Sequence, residues 1–106
     1  MISVDNENFQ EKVLDVKTYV IVDYWHEACA PCRALMPDVE ELEKKYEGKI
    51  QFVKVNTAKA RRLAISQKVL GLPTIALYQN GEKIDEVTKD EAIKNNIEKM
   101  IQKYVH

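Results

Sequence analysis

The stretch that decides the fold runs Tyr19-Val20-Ile21-Val22-Asp23-Tyr24-Trp25-His26-Glu27-Ala28-Cys29-Ala30-Pro31-Cys32-Arg33. Its first part is β-branched and aromatic, with almost no polar alternation. Such a run is a central strand covered on both faces. The exception is Asp23, and a charge in a strand buried on two sides is costly. After Pro31 the period changes. Leu35, Met36, Val39, Leu42 and Tyr46 recur at helical spacing, and Gly48 ends the helix. The junction between this strand and this helix holds the chain's two cysteines, Cys29 and Cys32.

On the N-terminal side, residues 2–4 read as a short extended start. Asp5 or Asn6 caps a helix through about Leu14, with Phe9 and Val13 inward and Leu14 as a further candidate. On the C-terminal side, residues 50–56 form the next strand, and residues 58–68 a basic helix with Leu63 and Ala64 inward and Ile65 as a further candidate. Gly71-Leu72-Pro73 is a break, and residues 74–78 are a strand. Asn80-Gly81 signals a two-residue hairpin, so residues 83–87 return antiparallel. Asp90 caps a last helix whose apolar stripe is Ile93, Ile97, Met100 and Ile101. The expected class is α/β in the order β-α-β-α-β-α-β-β-α. It has a mixed central sheet flanked by helices on both faces, parallel crossovers and an antiparallel edge.

A chain of 106 residues is the size of one domain, so residues 1–106 are expected to form a single unit. At 45% hydrophobic and 31% charged, the composition is neither disordered nor fibrous. The net charge of −1, from 16 basic and 17 acidic residues, argues against nucleic acid as a partner. No apolar run is long enough to cross a membrane, and the N-terminus has no signal-peptide pattern. A soluble, cytoplasmic protein with no membrane partner is expected.

Two cysteines three apart constrain the unfolded chain little, so their purpose is chemical. Cys-X-X-Cys after a strand and opening a helix is the spacing of a redox dithiol. The unpaired N–H groups and positive dipole end of a helix N-terminus stabilise a thiolate, the attacking species in disulfide exchange. Cys29, at or just before the helix start, reads as the nucleophile. Cys32, one turn in and less exposed, reads as the resolving thiol. Pro31 suits the first turn, where a missing N–H costs little. The alternatives are poorer. Zinc wants about four ligands, and only His26 and His106 could join the cysteines. Covalent haem wants His where Arg33 stands. Two inert core cysteines remain a third reading.

The segment from Val22 to Arg33 resembles the active-site stretch of the thioredoxin family. The resemblance continues through Pro37, Lys54, Gly71-Leu72-Pro73-Thr74 and Asn80-Gly81, and so covers essentially the whole chain. It implies the thioredoxin fold and a thiol–disulfide oxidoreductase that needs no bound cofactor and no metal, its redox centre being a Cys29–Cys32 disulfide. Disulfide-containing proteins would be the substrates, a thioredoxin reductase of unknown type would restore the dithiol, and the protein would be a monomer.

The resemblance also assigns roles. Asp23 matches a buried carboxylate behind the second cysteine, where desolvation raises its pKa and lets it carry a proton for Cys32. Lys54 would be its partner, and a plain structural ion pair is the alternative. Trp25 would cover the site. Pro73 matches a cis-proline facing the disulfide, with Gly71 and Leu72 beside it and Leu72 offering backbone groups to a substrate strand. Pro37 is expected to kink its helix. The chain departs from the family pattern at Ala28, where a second tryptophan is usual, at Ala30, which replaces a glycine, and at Thr88 and Lys89, where a glycine usually borders the substrate groove. These positions, with Pro31, surround Cys29 and bear on the choice of partner rather than on exchange itself. Two further readings stay open: an oxidant or isomerase, and a binding subunit with vestigial cysteines.

Overall fold

The computed structural model describes residues 1–106. Five strands form one sheet: β1 (Ile2–Ser3), β2 (Tyr19–Trp25), β3 (Ile50–Asn56), β4 (Thr74–Gln79) and β5 (Glu82–Thr88), in the spatial order β1-β3-β2-β4-β5. Three α-helices, α1 (Ala30–Lys45), α2 (Arg61–Ser66) and α3 (Lys94–Tyr104), complete the fold. β2 lies at the centre, as its unbroken apolar run requires. Residues 20–24 of this strand are all buried.

The two faces of the sheet carry separate cores. Ile21, Phe52, Ile75 and Leu77 pack with Leu35, Val39 and Leu42 of α1 and Ile97 and Ile101 of α3. Val20, Val22, Tyr24, Val53 and Tyr78 pack with Phe9, Val13 and Ala60, with Leu63 of α2 against them. Consecutive residues of β2 thus feed opposite layers, as strand pleating dictates. Within the second layer the Tyr78 hydroxyl donates to Gln67 Oε1 at 2.8 Å and meets the Tyr24 hydroxyl at 2.7 Å.

Turn chemistry falls where the glycines predict. Gly48 takes φ +86° at the end of α1, and Asn80 and Gly81 take φ +54° and +81° in the two-residue hairpin. Those signs are the ones a tight right-twisted hairpin needs.

Several elements differ from expectation. The first helix shrinks to a turn at residues 5–9, where Asp5 Oδ1 accepts the Glu7 N–H at 2.9 Å, followed by one wide turn at Gln10–Leu14. There the Asp15 N–H reaches back to Gln10 O. So short a segment gains its stability from seating Phe9 and Val13, not from helix propagation. β4 runs antiparallel to β2, so only β1, β3 and β2 form the parallel part of the sheet. Ile65 points outward, 73% exposed, because α2 presents only Leu63 and Ala64 to the sheet. Asp90 sits in a short 3₁₀ turn at Lys89–Glu91. The last helix starts only after Ile93, which is 51% exposed at its N-cap.

Candidate active site

α1 begins where β2 has run out, and Cys29 is its N-cap residue in extended conformation (φ −91°, ψ 99°). Its Sγ accepts the Cys32 N–H at 3.2 Å, as a serine or aspartate cap would. Pro31 occupies the first turn, where no intrahelical donor is lost. The helix continues unbroken in its residue range past Pro37 to Lys45. Cys29 and Cys32 are joined by a disulfide, with their Cα atoms 5.2 Å apart. The two sulfurs differ in access, since Cys32 is 0% exposed and Cys29 only half-buried.

The approach to Cys29 is tied down locally. The Cys29 N–H donates to His26 O, the Ala28 N–H to His26 Nδ1, and the Arg33 guanidinium to Glu27 O. Ala28 and Ala30 are exposed, and neither blocks access from solvent.

Asp23 lies on the β2 face that packs against α1, two residues from Ile21. It is 1% exposed, and neither carboxylate oxygen has a hydrogen-bond partner. Burial pushes its carboxyl up from 3.8 to about 7, against the opposing pull of the Lys54 charge. Lys54 stands directly across from Asp23 in the β2–β3 register. It makes no ion pair there. Its ammonium sits instead over the Trp25 ring, 5.5 Å from the centroid. Lys54 therefore acts on Asp23 through the field alone, and Trp25 takes the direct contact. Trp25 is half-buried, and its Nε1 has no partner.

The Leu72–Pro73 peptide bond is cis, as the family resemblance implies. Pro73 is buried, with Gly71 and Leu72 half-buried before it. Pro73 and Pro31 line one shallow groove of about 380 Å³, together with Asp38, Lys89, Asp90 and Ile93. A larger hollow of about 500 Å³, near Glu43 and Gly48, lies at the opposite end of β3 and holds no thiol. No group of three or more His, Cys, Asp or Glu side chains is placed to hold a metal ion. No helix is long and apolar enough to cross a membrane.

The sequence model of the thioredoxin family, described as "Thioredoxin", matches residues 1–103. The chain belongs to the thioredoxin family. It is 59% identical to a protein named "Thioredoxin" from Peptoclostridium acidaminophilum over 99% of this chain and 96% of that one. It is 53% identical to a "Thioredoxin" from Acetoanaerobium sticklandii over 99% and 100% of the two chains. A "Thioredoxin 1" from Nostoc is 39% identical over 79% and 78%. Together with the bonded Cys29–Cys32 pair, this makes the protein a thiol–disulfide oxidoreductase acting on protein disulfides. Its five-stranded mixed sheet with flanking helices is the thioredoxin fold.

Among thioredoxin-family features, the groove wall is where the sequence was least informative. Thr88 is extended, half-buried and opposite Thr74 at the end of β5. The next residue is the one in the groove. Lys89 takes φ +54°, and its N–H donates to Pro73 O at 2.7 Å. Its side chain lies across Gly71, where a Cβ would come within 2.3 Å of Lys89 Cε. A lysine carries no sequence signal for left-handed backbone, so this role of Lys89 is not legible in the sequence.

Proposed function

We propose that this chain is a single-domain, monomeric, cytoplasmic electron carrier that reduces disulfides in partner proteins and is itself re-reduced by a thioredoxin reductase. The observation that carries the reading is the unequal access of two bonded cysteines at one helix terminus, with an unpaired buried carboxylate on the strand beneath.

In the reduced protein the α1 N-terminus favours the Cys29 thiolate. That thiolate attacks one sulfur of the substrate disulfide. A Cys29–substrate bond forms, the substrate S–S bond breaks, and the other substrate sulfur leaves as a thiolate that takes a proton. Cys32, shielded from solvent, then loses its proton. We assign Asp23 as the acceptor, and its burial in the layer between β2 and α1 with a pKa raised to about 7 supports that reading. The Cys32 thiolate attacks Cys29 Sγ, the Cys29–Cys32 bond forms, the Cys29–substrate bond breaks, and the second substrate sulfur leaves as a thiolate that takes up the proton held by Asp23. Two electrons and two protons have passed to the substrate. Lys54 biases Asp23 toward ionisation without holding it, and Trp25 caps that end of the strand. Pro73, Pro31, Gly71 and Leu72 shape the surface on which substrate lies. Ala28, Ala30 and Thr88 border it and bear on which partners fit.

The test is reduction of a protein disulfide by dithiothreitol with catalytic amounts of the protein. Acceleration lost in both Cys29→Ser and Cys32→Ser is expected, with stable mixed disulfides accumulating on Cys32→Ser alone. A rate no faster than dithiothreitol by itself would overturn the proposal. An equilibrium potential in the range of strong oxidants would assign the protein to disulfide formation instead.

A further inference from the structure

Charge is segregated along this chain in a way the net value of −1 conceals. Residues 48–81 contain six Lys and Arg and no Asp or Glu, while the remainder carries ten Lys and Arg against all seventeen Asp and Glu. Four of the six cations, Lys59, Arg61, Arg62 and Lys68, are exposed on or beside α2. None of them takes part in an ion pair, although five lysines elsewhere on the surface do. Asp5 and Glu27 share a hollow with Lys59, and Glu86 shares one with Lys68. These carboxylates border the patch without neutralising it.

Two large apolar side chains stand unburied within the patch, Ile65 at 73% and Leu70 at 91% exposed. The patch also touches the redox site on both ends. Lys59 lines the same hollow as Trp25, and Leu70 leads directly into Gly71-Leu72-Pro73.

We infer that α2 and the segment leading to Pro73 form a docking surface for partner proteins that carry an acidic patch next to their disulfide. This rests on the disulfide-reductase reading and adds the chemistry of the partner. Unpaired cations raise the encounter rate with an oppositely charged surface and fix its orientation. Ile65 and Leu70 supply the apolar contact that a purely electrostatic encounter lacks, and this favours a folded protein over nucleic acid.

The probes are two peptides, each closed by one disulfide and alike except for an oligoglutamate or an oligolysine tail. Reduction of each is followed at low and high salt. Thioether-closed versions, which cannot react, are used for binding by fluorescence anisotropy. At low salt the acidic peptide should be reduced about tenfold faster than the basic one. The preference should collapse at about 0.5 M salt, where charges are screened within a few ångströms. It should also collapse in Arg61→Glu/Arg62→Glu. Lys44→Glu/Lys99→Glu, the same charge change on α1 and α3 across the sheet, should keep it. Lys59→Ala/Lys68→Ala provides a second, milder test should the double reversal perturb α2.

Equal binding of the two thioether peptides, or a preference that survives both α2 variants, overturns the proposal. Duplex DNA binding more tightly than the acidic peptide, through the same cations, also overturns it in favour of nucleic acid. Charge-dependent binding without any reduction of the disulfide peptides instead refutes the reductase reading and leaves the surface standing.

Discussion

Replacing Asp23 by asparagine should stabilise the oxidised protein, and the gain should grow with pH. Asp23 is 1% exposed, both its carboxylate oxygens lack partners, and burial raises its pKa from 3.8 to about 7. The folded protein thus keeps at Asp23 a proton that the unfolded chain has already released. Below the unfolded value both states are protonated and the group is neutral in effect. Between the two values the unfolded chain binds fewer protons, so stability falls by about 1.4 kcal/mol per pH unit. Above the folded value the full cost is present, with a ceiling of about 4 kcal/mol for a shift of this size. Movement of Lys54 toward an ionised carboxylate recovers part of that cost. Asparagine does not titrate and buries polarity similar to that of the protonated acid. Parent and variant should therefore be nearly equal at pH 3, and the variant more stable by about 1–3 kcal/mol at pH 8. Urea midpoints of the two oxidised proteins between these limits measure the difference directly. A difference that is flat with pH, or a variant less stable at pH 8, would refute the reasoning. A flat difference would mean that the Lys54 field cancels desolvation, and a less stable variant that it outweighs it. The same variant should slow release of substrate from the Cys29 mixed disulfide, because Cys32 loses its proton acceptor.

Alkylation of the reduced protein at neutral pH should label Cys29 before Cys32, and mass mapping that found the opposite order would reverse their roles. Tyr78→Phe should cost about 1–3 kcal/mol, since it strands the buried Tyr24 hydroxyl and takes the donor from half-buried Gln67 Oε1, whereas Tyr24→Phe leaves the Tyr78–Gln67 bond intact and should cost less. Denaturant midpoints of equal depth in the two variants would show that the hydroxyls do not act as a chain. Lys89→Gly should stabilise by about 0.5–1 kcal/mol, because left-handed backbone costs an L-residue about 1–2 kcal/mol and the flexibility of glycine returns part of it. A lower thermal midpoint would place the value of Lys89 in its packing across Gly71 instead.

What the sequence made legible follows from how local the cause is. β2 and α1 were readable because their apolar periods differ and each is long enough to count. The hairpin was readable because Asn80 and Gly81 are the residues that tolerate positive φ. Elements of one or two turns were not. Over six residues of α2, helical periodicity cannot decide whether Ile65 faces in or out, and only the position of the sheet settles it. The direction of β4 was hidden for another reason. Strand–helix alternation suggests a parallel return, but the segment from Gln67 to Pro73 lets the chain enter β4 from the other end, and no residue in β4 itself records that. At the site, Cys29, Cys32 and the oddness of Asp23 were visible as residue types in the wrong company. The place of Lys54 was not, since a cation opposite a carboxylate predicts an ion pair. Here the Trp25 ring, two residues further along the strand, captures it instead.

The unfavourable features of the molecule gather at one end of the sheet, and this has a consequence for how it works. Asp23 is desolvated without a partner, Trp25 Nε1 is buried without one, and Lys89 holds a left-handed backbone against Pro73 O. Each costs on the order of 1–3 kcal/mol, which together is a substantial part of the about 5–15 kcal/mol that holds a domain folded. The two apolar layers on either side of β2 must offset that sum, one packed with α1 and α3 and the other with Phe9 and Val13. A carboxylate satisfied by a true ion pair with Lys54 would be cheaper, but its pKa would fall and it could no longer accept a proton from a thiol near neutrality. In the proposed mechanism, leaving Asp23 unpaired keeps its affinity for a proton in the range where Cys32 would lose one. On this argument the contact between Lys54 and Trp25 has a chemical purpose, because it holds the cation close enough to moderate Asp23 and too occupied to neutralise it.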